Sequence, residues 1–233
     1  MVRVLRDVGP SAPACNDQEV RFTDRADAGR RLANRLQGEL AADAVVLGLP
    51  RGGVPVGYEV ARALGLRLDV VVIRKLGLPY QPELAMGAVG EDVRVLNERV
   101  LRMARVDAAE LDAVERRERA EVARRTEALR AGRRPVPIAG REVVVVDDGI
   151  ATGSTARAAC QVVRARGARR VVLAAPVAPS SVSKTLADAA DELVLLHVSD
   201  RFSAVGQFYV DFGQTSDEEV TALLALADDR PAD

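Results

Sequence analysis

Residues 143–155 read VVVVDDGIATGST, and this stretch decides how the rest of the chain is organised. Four consecutive valines are typical of a strand that is buried on both faces of a parallel sheet. Two aspartates follow where that strand should leave the sheet, and a loop of small and hydroxyl residues comes next. Residues 156–166 are then good helix formers. The sequence therefore predicts a strand, an acidic pair, a polar loop and a helix N-terminus in immediate succession.

A loop of this kind is suited to binding an anion. Backbone N–H groups and the positive end of the helix dipole converge there, and the hydroxyls of Thr152, Ser154 and Thr155 lie beside them. Asp147 and Asp148 would repel a bare phosphate, so a pure phosphate cradle does not explain them. They fit a ligand that also presents sugar hydroxyls, or a metal ion. A ribose 5′-phosphate meets both requirements.

In residue types, spacing and strand–loop–helix context, this stretch resembles the phosphoribosyl pyrophosphate motif of type I phosphoribosyltransferases. The resemblance implies transfer of phosphoribose from 5-phosphoribosyl 1-pyrophosphate (PRPP) to a nitrogenous base, with Mg²⁺ as cofactor and pyrophosphate released. It implies that Asp147 and Asp148 are catalytic, holding the ribose hydroxyls directly or through metal-bound water. The loop residues expected to bind substrate are Gly149, Ile150, Ala151, Thr152, Gly153, Ser154 and Thr155.

Other phosphate and nucleophile motifs do not fit this stretch. A Walker loop requires Gly-Lys-Ser/Thr, and no lysine follows Gly153. The three glycines of a dinucleotide fingerprint are missing. Ser154 lacks the G-x-S-x-G elbow, and His197 is the single histidine, which disfavours a serine hydrolase.

The bulk properties narrow the class of protein. With 233 residues the chain suits one α/β domain with additions, and its net charge of −1 predicts no general affinity for nucleic acid or an anionic membrane. No apolar run approaches the roughly 20 residues of a membrane span. The N-terminus lacks a signal-peptide core, so we expect a cytoplasmic protein. Cys15 and Cys160 are too few for a disulfide framework or a zinc site.

Predicted strands alternate with predicted helices, which favours a parallel sheet with right-handed crossovers. We expect an α/β fold like that of the type I phosphoribosyltransferases, a sheet flanked by helices with a helical insertion and a C-terminal hood. The predicted strands are 44–49, 68–74, 143–146, 171–175 (closed by Pro176) and 193–197. The predicted divisions are a flexible extension 1–20, a domain 21–213 with an insertion at about 97–134 and a hood at about 198–213, and a C-terminal helix 214–233.

Two further loops follow predicted strands and should share the sheet edge with residues 147–155. At 50–53, Gly52 and Gly53 allow a ligand to approach the backbone closely, and Arg51 offers a guanidinium to phosphate oxygens. An ordinary turn between a strand and a helix, without a ligand, is the alternative interpretation of these residues. In the type I phosphoribosyltransferases, which this chain resembles, the loop that binds pyrophosphate lies at this position. In residues 75–83, two prolines and a glycine predict irregular structure. The resemblance implies a mobile loop, with Arg74 and Lys75 on the pyrophosphate. Glu83 is a candidate for contacting the nucleophile, and a solvated surface charge is the alternative.

The insertion and the hood are less specific. Asp107 and Glu110 predict a capping box at the start of a charged helix whose narrow apolar stripe packs against the protein. This helix could also contact the second subunit of a homodimer. Residues 201–213 hold four of the chain's seven aromatic residues. Phe202 is the candidate for stacking a base. An equally supported alternative is that these aromatic residues form a small separate hydrophobic core.

One departure from the family bears on the acceptor. Members that act on hypoxanthine or guanine usually carry an aspartate three residues after the acidic pair, and this chain has Ala151 there. The loop looks more like that of adenine-type members, so hypoxanthine and guanine are disfavoured and a purine or related base is expected. Overall the chain looks most like a subgroup known as predicted phosphoribosyltransferases. A non-catalytic PRPP- or nucleotide-binding regulator, or a hydrolase of phosphoribosyl compounds, remains open as an alternative.

Overall fold

The structure is a computed structural model that describes residues 3–6, 21–186 and 188–228. The strands are β1 (Arg3–Arg6), β2 (Val45–Gly48), β3 (Arg67–Val70), β4 (Arg74–Leu78), β5 (Gln81–Val89), β6 (Arg94–Leu96), β7 (Glu142–Val146), β8 (Arg170–Pro179) and β9 (Glu192–Ser199). The α-helices are α1 (Arg25–Leu36), α2 (Gly53–Leu64), α3 (Glu98–Ala104), α4 (Ala108–Arg130), α5 (Ser154–Ala165), α6 (Val182–Thr185) and α7 (Asp217–Asp228). A 3₁₀ helix covers Val205–Phe208. Among these helices none combines the length and apolarity needed to cross a bilayer.

Within the described residues, six strands form one parallel sheet in the order β1-β9-β8-β7-β2-β3. This confirms the parallel α/β sheet predicted from the sequence. The chain proceeds from β2 to β3 in one direction, and β7, β8 and β9 then extend the sheet in the other. The order therefore reverses between β2 and β7, and ligands of open α/β sheets bind beyond the strand ends at such a switch point.

The core has two layers because alternate residues of the central strands face opposite sides of the sheet. Val144 and Val146 pack with helices α1, α2, α4 and α7, whereas Val143 and Val145 pack with α5 and α6. All five residues of β7 are buried, as the valine run predicts. The acidic pair is therefore fixed at the end of a strand that both layers hold in place.

The N-terminal segment contributes an edge strand. Arg3–Arg6 pairs in parallel with Glu192–Leu195 of β9. These four residues lie in the segment 1–20 that the sequence predicts to be a flexible extension, and that division of the chain stays a prediction. Without β1, β9 would be an edge strand with unpaired backbone N–H and C=O groups, and the short strand β1 forms hydrogen bonds with these groups. Residues 1–2 and 7–20 lie outside the described residues.

Strand β8 also differs from its prediction, because it continues past Pro176 to Pro179. β7 pairs with β8 only as far as Ala174, and the β8–β9 register resumes at Val177. Proline is tolerated there because that part of β8 has a ladder partner on one side only.

The segment after β3 is a hairpin and not irregular structure. β4 and β5 pair antiparallel, and β6 extends them into a second sheet. The prediction of irregular structure for residues 75–83 is therefore wrong. The register shifts at Gly77, which pairs with Ala85, so the ladder passes over Pro82 and needs no N–H from it. The sequence also predicts a hairpin of 85–89 with 93–96, and the antiparallel pairing of β5 with β6 confirms it.

The insertion consists of α3 and α4. Asp107 Oδ1 accepts from the Glu110 amide at 2.7 Å, and Glu110 Oε2 accepts from the Asp107 amide at 3.2 Å, which confirms the capping box. Near the other end of α4, Arg130 is only 5 % exposed and donates to Asp69 of β3 and to Glu91. The insertion is thus anchored to the main sheet through a buried ion pair.

Candidate active site

The acidic pair lies at the carboxyl end of β7, half-buried. The Asp147 amide donates to the Ala174 carbonyl at 3.2 Å, and the Asp148 amide donates to Asp147 Oδ1 at 3.0 Å. Burial, together with the negative charge of Asp148, raises the pKa of Asp147 well above its usual value. The site therefore offers a carboxyl group that a hydroxyl donor or a cation would stabilise.

The loop after the acidic pair has the predicted strand–loop–helix context. Gly149, Ile150 and Gly153 are buried, and the Ile150 amide donates to the Val177 carbonyl at 2.9 Å. Gly153 has a φ of 77° directly before α5, a conformation that glycine adopts without strain. The loop residues exposed to solvent are Ala151, Thr152, Ser154 and Thr155. The loop is thus anchored by its buried residues and leaves its polar ones open to a ligand.

The loop after β2 lies directly against the acidic pair. Its Pro50–Arg51 peptide bond is cis. A Cβ atom on Gly52 would collide with the Asp148 carboxylate, and one on Gly53 would collide with the Val146 carbonyl. Only glycine allows this approach, so the structure brings the two predicted loops together. Arg51 is exposed, with Nη1 3.8 Å from Asp217 Oδ1 at the start of α7.

The two basic residues of β4 have different surroundings. Lys75 is exposed, and its Nζ lies 3.5 Å from Ser154 Oγ in the loop that follows the acidic pair. Arg74 instead donates from Nε to Glu118 Oε2 of α4 at 2.8 Å, and Glu118 is only 7 % exposed. The structure therefore brings Lys75 to the candidate site and places the Arg74 guanidinium on the insertion.

A cleft of about 550 Å³ opens beside Lys75 and Ser154. Its walls are α5, the β5–β6 hairpin and the first residues of α3. Ala85 and Gly87 of β5 line it, but Glu83 does not. Glu83 lies exposed near the hairpin tip, so its predicted contact with a nucleophile stays a prediction.

The hood aromatics mainly form a satellite core. Phe22, Phe208 and Tyr209 are buried together with Val177 and Ala28. Phe202 is half-buried, with its ring centroid 5.4 Å from that of Phe208. The satellite core accounts for Phe208 and Tyr209, and base stacking by Phe202 stays a prediction.

The structure shows two residues at the site that the sequence analysis did not predict. Arg25 Nε donates to Asp148 Oδ2 at 2.8 Å, and the Tyr209 hydroxyl donates to the Asp148 carbonyl at 2.6 Å. Burial, with a smaller contribution from the Asp148 charge, raises the pKa of Tyr209, so its hydroxyl stays a donor. No local pattern marks Arg25, because its partner lies 123 positions away in the chain.

The fold and the site together define a class of α/β proteins in which an acidic pair and a hydroxyl-rich loop lie at the switch point of a parallel sheet. The chain matches the family described as the phosphoribosyl transferase domain over residues 22–212. It therefore belongs to the phosphoribosyl transferase family, as the motif at 143–155 predicts.

Relatives agree with this assignment. Two strains of Mycobacterium tuberculosis carry proteins, MT0597 and Rv0571c, whose names assign them provisionally to the phosphoribosyl transferases. Each is 58 % identical to this chain over 207 residues, which is 88 % of the chain and 47 % of the relative. The chain thus spans about half the length of these relatives. The crystal structure of TT1426 from Thermus thermophilus is 47 % identical, with a TM-score of 0.81, and the match covers 88 % of this chain and 97 % of that one.

Proposed function

We propose that this chain transfers phosphoribose from PRPP to a nitrogenous base and releases pyrophosphate. The observation that carries the proposal is the loop 151–155, which is exposed except at Gly153 and follows a half-buried acidic pair at the end of β7. A loop covered by other segments would have left no space for a pentose. Instead, the polar residues of the loop border open solvent, and a cleft adjoins Ser154.

Each group of residues has a defined task in this proposal. The amides and hydroxyls of Ala151–Thr155 bind the 5′-phosphate, and Asp147 and Asp148 accept hydrogen bonds from the ribose hydroxyls. Lys75 and the 51–53 loop bind the pyrophosphate. In the reaction the bond from the anomeric carbon to pyrophosphate weakens ahead of attack by the base. Positioning and charge stabilisation therefore supply most of the catalysis.

The donor set at the acidic pair fits Mg²⁺ when substrate is bound. Magnesium takes oxygen ligands, typically one or two carboxylates together with substrate phosphates and water. Among the described residues no three His, Cys, Asp or Glu side chains are grouped to hold a metal ion by themselves. Asp147 and Asp148 would therefore hold Mg²⁺ together with PRPP oxygens, and the ion would stabilise the leaving pyrophosphate.

The acceptor we propose is a purine or related base other than hypoxanthine and guanine. Ala151 is exposed and has no group that could exchange a proton with the base. The acceptor must then be recognised by other groups of the hood, for which Phe202 is the candidate.

A screen of bases with PRPP and Mg²⁺ tests the proposal. We expect pyrophosphate release that depends on the added base, with adenine among the first to examine and hypoxanthine and guanine inactive. Base-independent release would instead indicate a hydrolase. PRPP binding without release with any base would indicate a regulatory protein of the same fold.

Lys75 offers a second test, because its Nζ lies beside the phosphate loop. Replacing it by Met should raise the KM for PRPP about tenfold, since one cation on the pyrophosphate is lost. The matched control is Lys184→Met, which removes the chain's other lysine from an exposed position in α6. Steady-state kinetics with PRPP varied provides the measurement. Equal KM values for Lys75→Met and wild type would show that Lys75 does not bind the pyrophosphate.

A further inference from the structure

Arg25, the first residue of α1, makes three contacts, one of which is with the acidic pair. Its Nε donates to Asp148 Oδ2 at 2.8 Å, and its Nη1 donates to the Gly213 carbonyl at 2.7 Å. The guanidinium carbon lies 4.0 Å from the centroid of the Phe212 ring. The side chains of Arg25 and Asp148 are each only 14 % exposed. These contacts fix the guanidinium in one orientation, which a freely rotating surface arginine would not have.

The main chain around Arg25 is joined to the hood. The Phe22 amide donates to the Phe208 carbonyl at 2.7 Å, and the Val210 amide donates to the Phe22 carbonyl at 2.8 Å. Through its hydroxyl, Tyr209 of the same hood segment holds the Asp148 carbonyl. The start of α1 and the hood therefore form one unit that contacts Asp148 through both its side chain and its main chain.

This arrangement addresses an electrostatic difficulty of the site. A phosphoribosyl ligand is an anion, and two adjacent carboxylates repel it. A guanidinium in direct contact with one carboxylate offsets part of that repulsion, and a fixed ion pair also fixes the direction of the carboxylate oxygens. With Oδ2 engaged by Arg25, Oδ1 is the Asp148 oxygen left to accept a hydrogen bond from a sugar hydroxyl.

We infer that Arg25 is a positioning residue for the sugar phosphate: it orients Asp148 towards the ribose. This inference rests on the proposed function and adds to it a residue that lies outside the 143–155 motif. It predicts that Arg25 matters for ligands that carry the ribose hydroxyls and matters little for a bare phosphate.

Calorimetric binding of ribose 5-phosphate and of inorganic phosphate, both without metal, tests the inference. Arg25→Met should weaken ribose 5-phosphate binding about tenfold and change phosphate binding less than about threefold. Arg25→Lys, which keeps the charge but not the planar fork, should recover part of the loss. The control is Arg31→Met on the same helix. Arg31 also pairs with an aspartate, Asp27 at 2.9 Å, and lies over an aromatic ring, but it is 49 % exposed and away from the acidic pair.

The possible outcomes separate this inference from the proposed function. If wild type binds ribose 5-phosphate and Arg25→Met binds it equally well or more tightly, the inference alone is overturned. An equal loss of affinity for both ligands would mean that Arg25 acts only through its charge or through the fold, and it would also overturn the inference. If Arg25→Met does not fold, Arg25→Lys carries the same comparison. Failure of wild type to bind either ribose 5-phosphate or PRPP would overturn both the inference and the proposed function.

Discussion

Changing Asp147 and Asp148 together to Asn is expected to lower kcat/KM by at least about 10³-fold, equivalent to about 4 kcal/mol of transition-state stabilisation. The carboxylates are the acceptors proposed for the ribose hydroxyls, and they are the groups that would hold Mg²⁺ with PRPP. Asparagine keeps the shape of each side chain but removes both charges. Base-dependent pyrophosphate release measures the effect.

The fold should survive this double change. Asn removes the two adjacent like charges, and Arg25 keeps the Gly213 carbonyl as an acceptor. Circular dichroism and thermal unfolding check this point. Asp43→Asn is the matched control, because Asp43 is exposed just before β2, at the opposite edge of the sheet. Full activity in a folded double variant would count decisively against the proposed role of the pair.

Replacing Arg130 by Met is expected to lower the free energy of unfolding by about 3–5 kcal/mol, because it leaves Asp69 and Glu91 without their common partner. Arg130 donates to Asp69 at 2.9 and 2.8 Å and to Glu91 at 2.6 and 2.9 Å. Burial alone would lower the pKa of Arg130, but its hydrogen bonds to Glu91 and Asp69 raise it above its usual value. Asp69 is 2 % exposed, so water cannot replace the lost guanidinium.

Thermal unfolding measures this effect, and for a chain of this size the melting temperature should fall by roughly 6–20 °C. Arg124→Met on the same helix is the control, since Arg124 pairs with Glu121 at the surface and its loss should change the melting temperature little. Adding Asp69→Asn to Arg130→Met should restore part of the stability, because it removes a buried charge that has lost its charged partner and keeps only the Val70 and Val136 amides as donors. A melting temperature of Arg130→Met equal to that of Arg124→Met would show that the buried pair does not anchor the insertion.

The hairpin of β4 and β5 shows where prediction from the sequence failed. Prolines 79 and 82 and Gly77 are strong local signals against a strand. The register nevertheless shifts at Gly77, so the β4–β5 ladder passes over Pro82. Pairing between β4 and β5 decided the structure of this segment. The preferences of the individual residues do not reveal which strands will pair.

The basic pair at 74–75 illustrates the same point for the site. The sequence places Arg74 and Lys75 side by side, and the resemblance assigned both to the pyrophosphate. Adjacent residues of a strand point to opposite faces, so one reaches Ser154 and the other reaches Glu118 of the insertion. Which residue faces the site depends on how the hairpin is positioned between α4 and α5.

By itself, the sequence determined the parallel sheet, the acidic pair and the polar loop that follows it, because a buried valine run, paired aspartates and a glycine- and hydroxyl-rich turn are local signals with local causes. Only the tertiary structure decided that Gly52 lies against Asp148 and that Arg25 pairs with the same carboxylate. Those contacts join residues far apart in the chain, and they depend on the order of the strands and on how the hood folds back over the sheet edge.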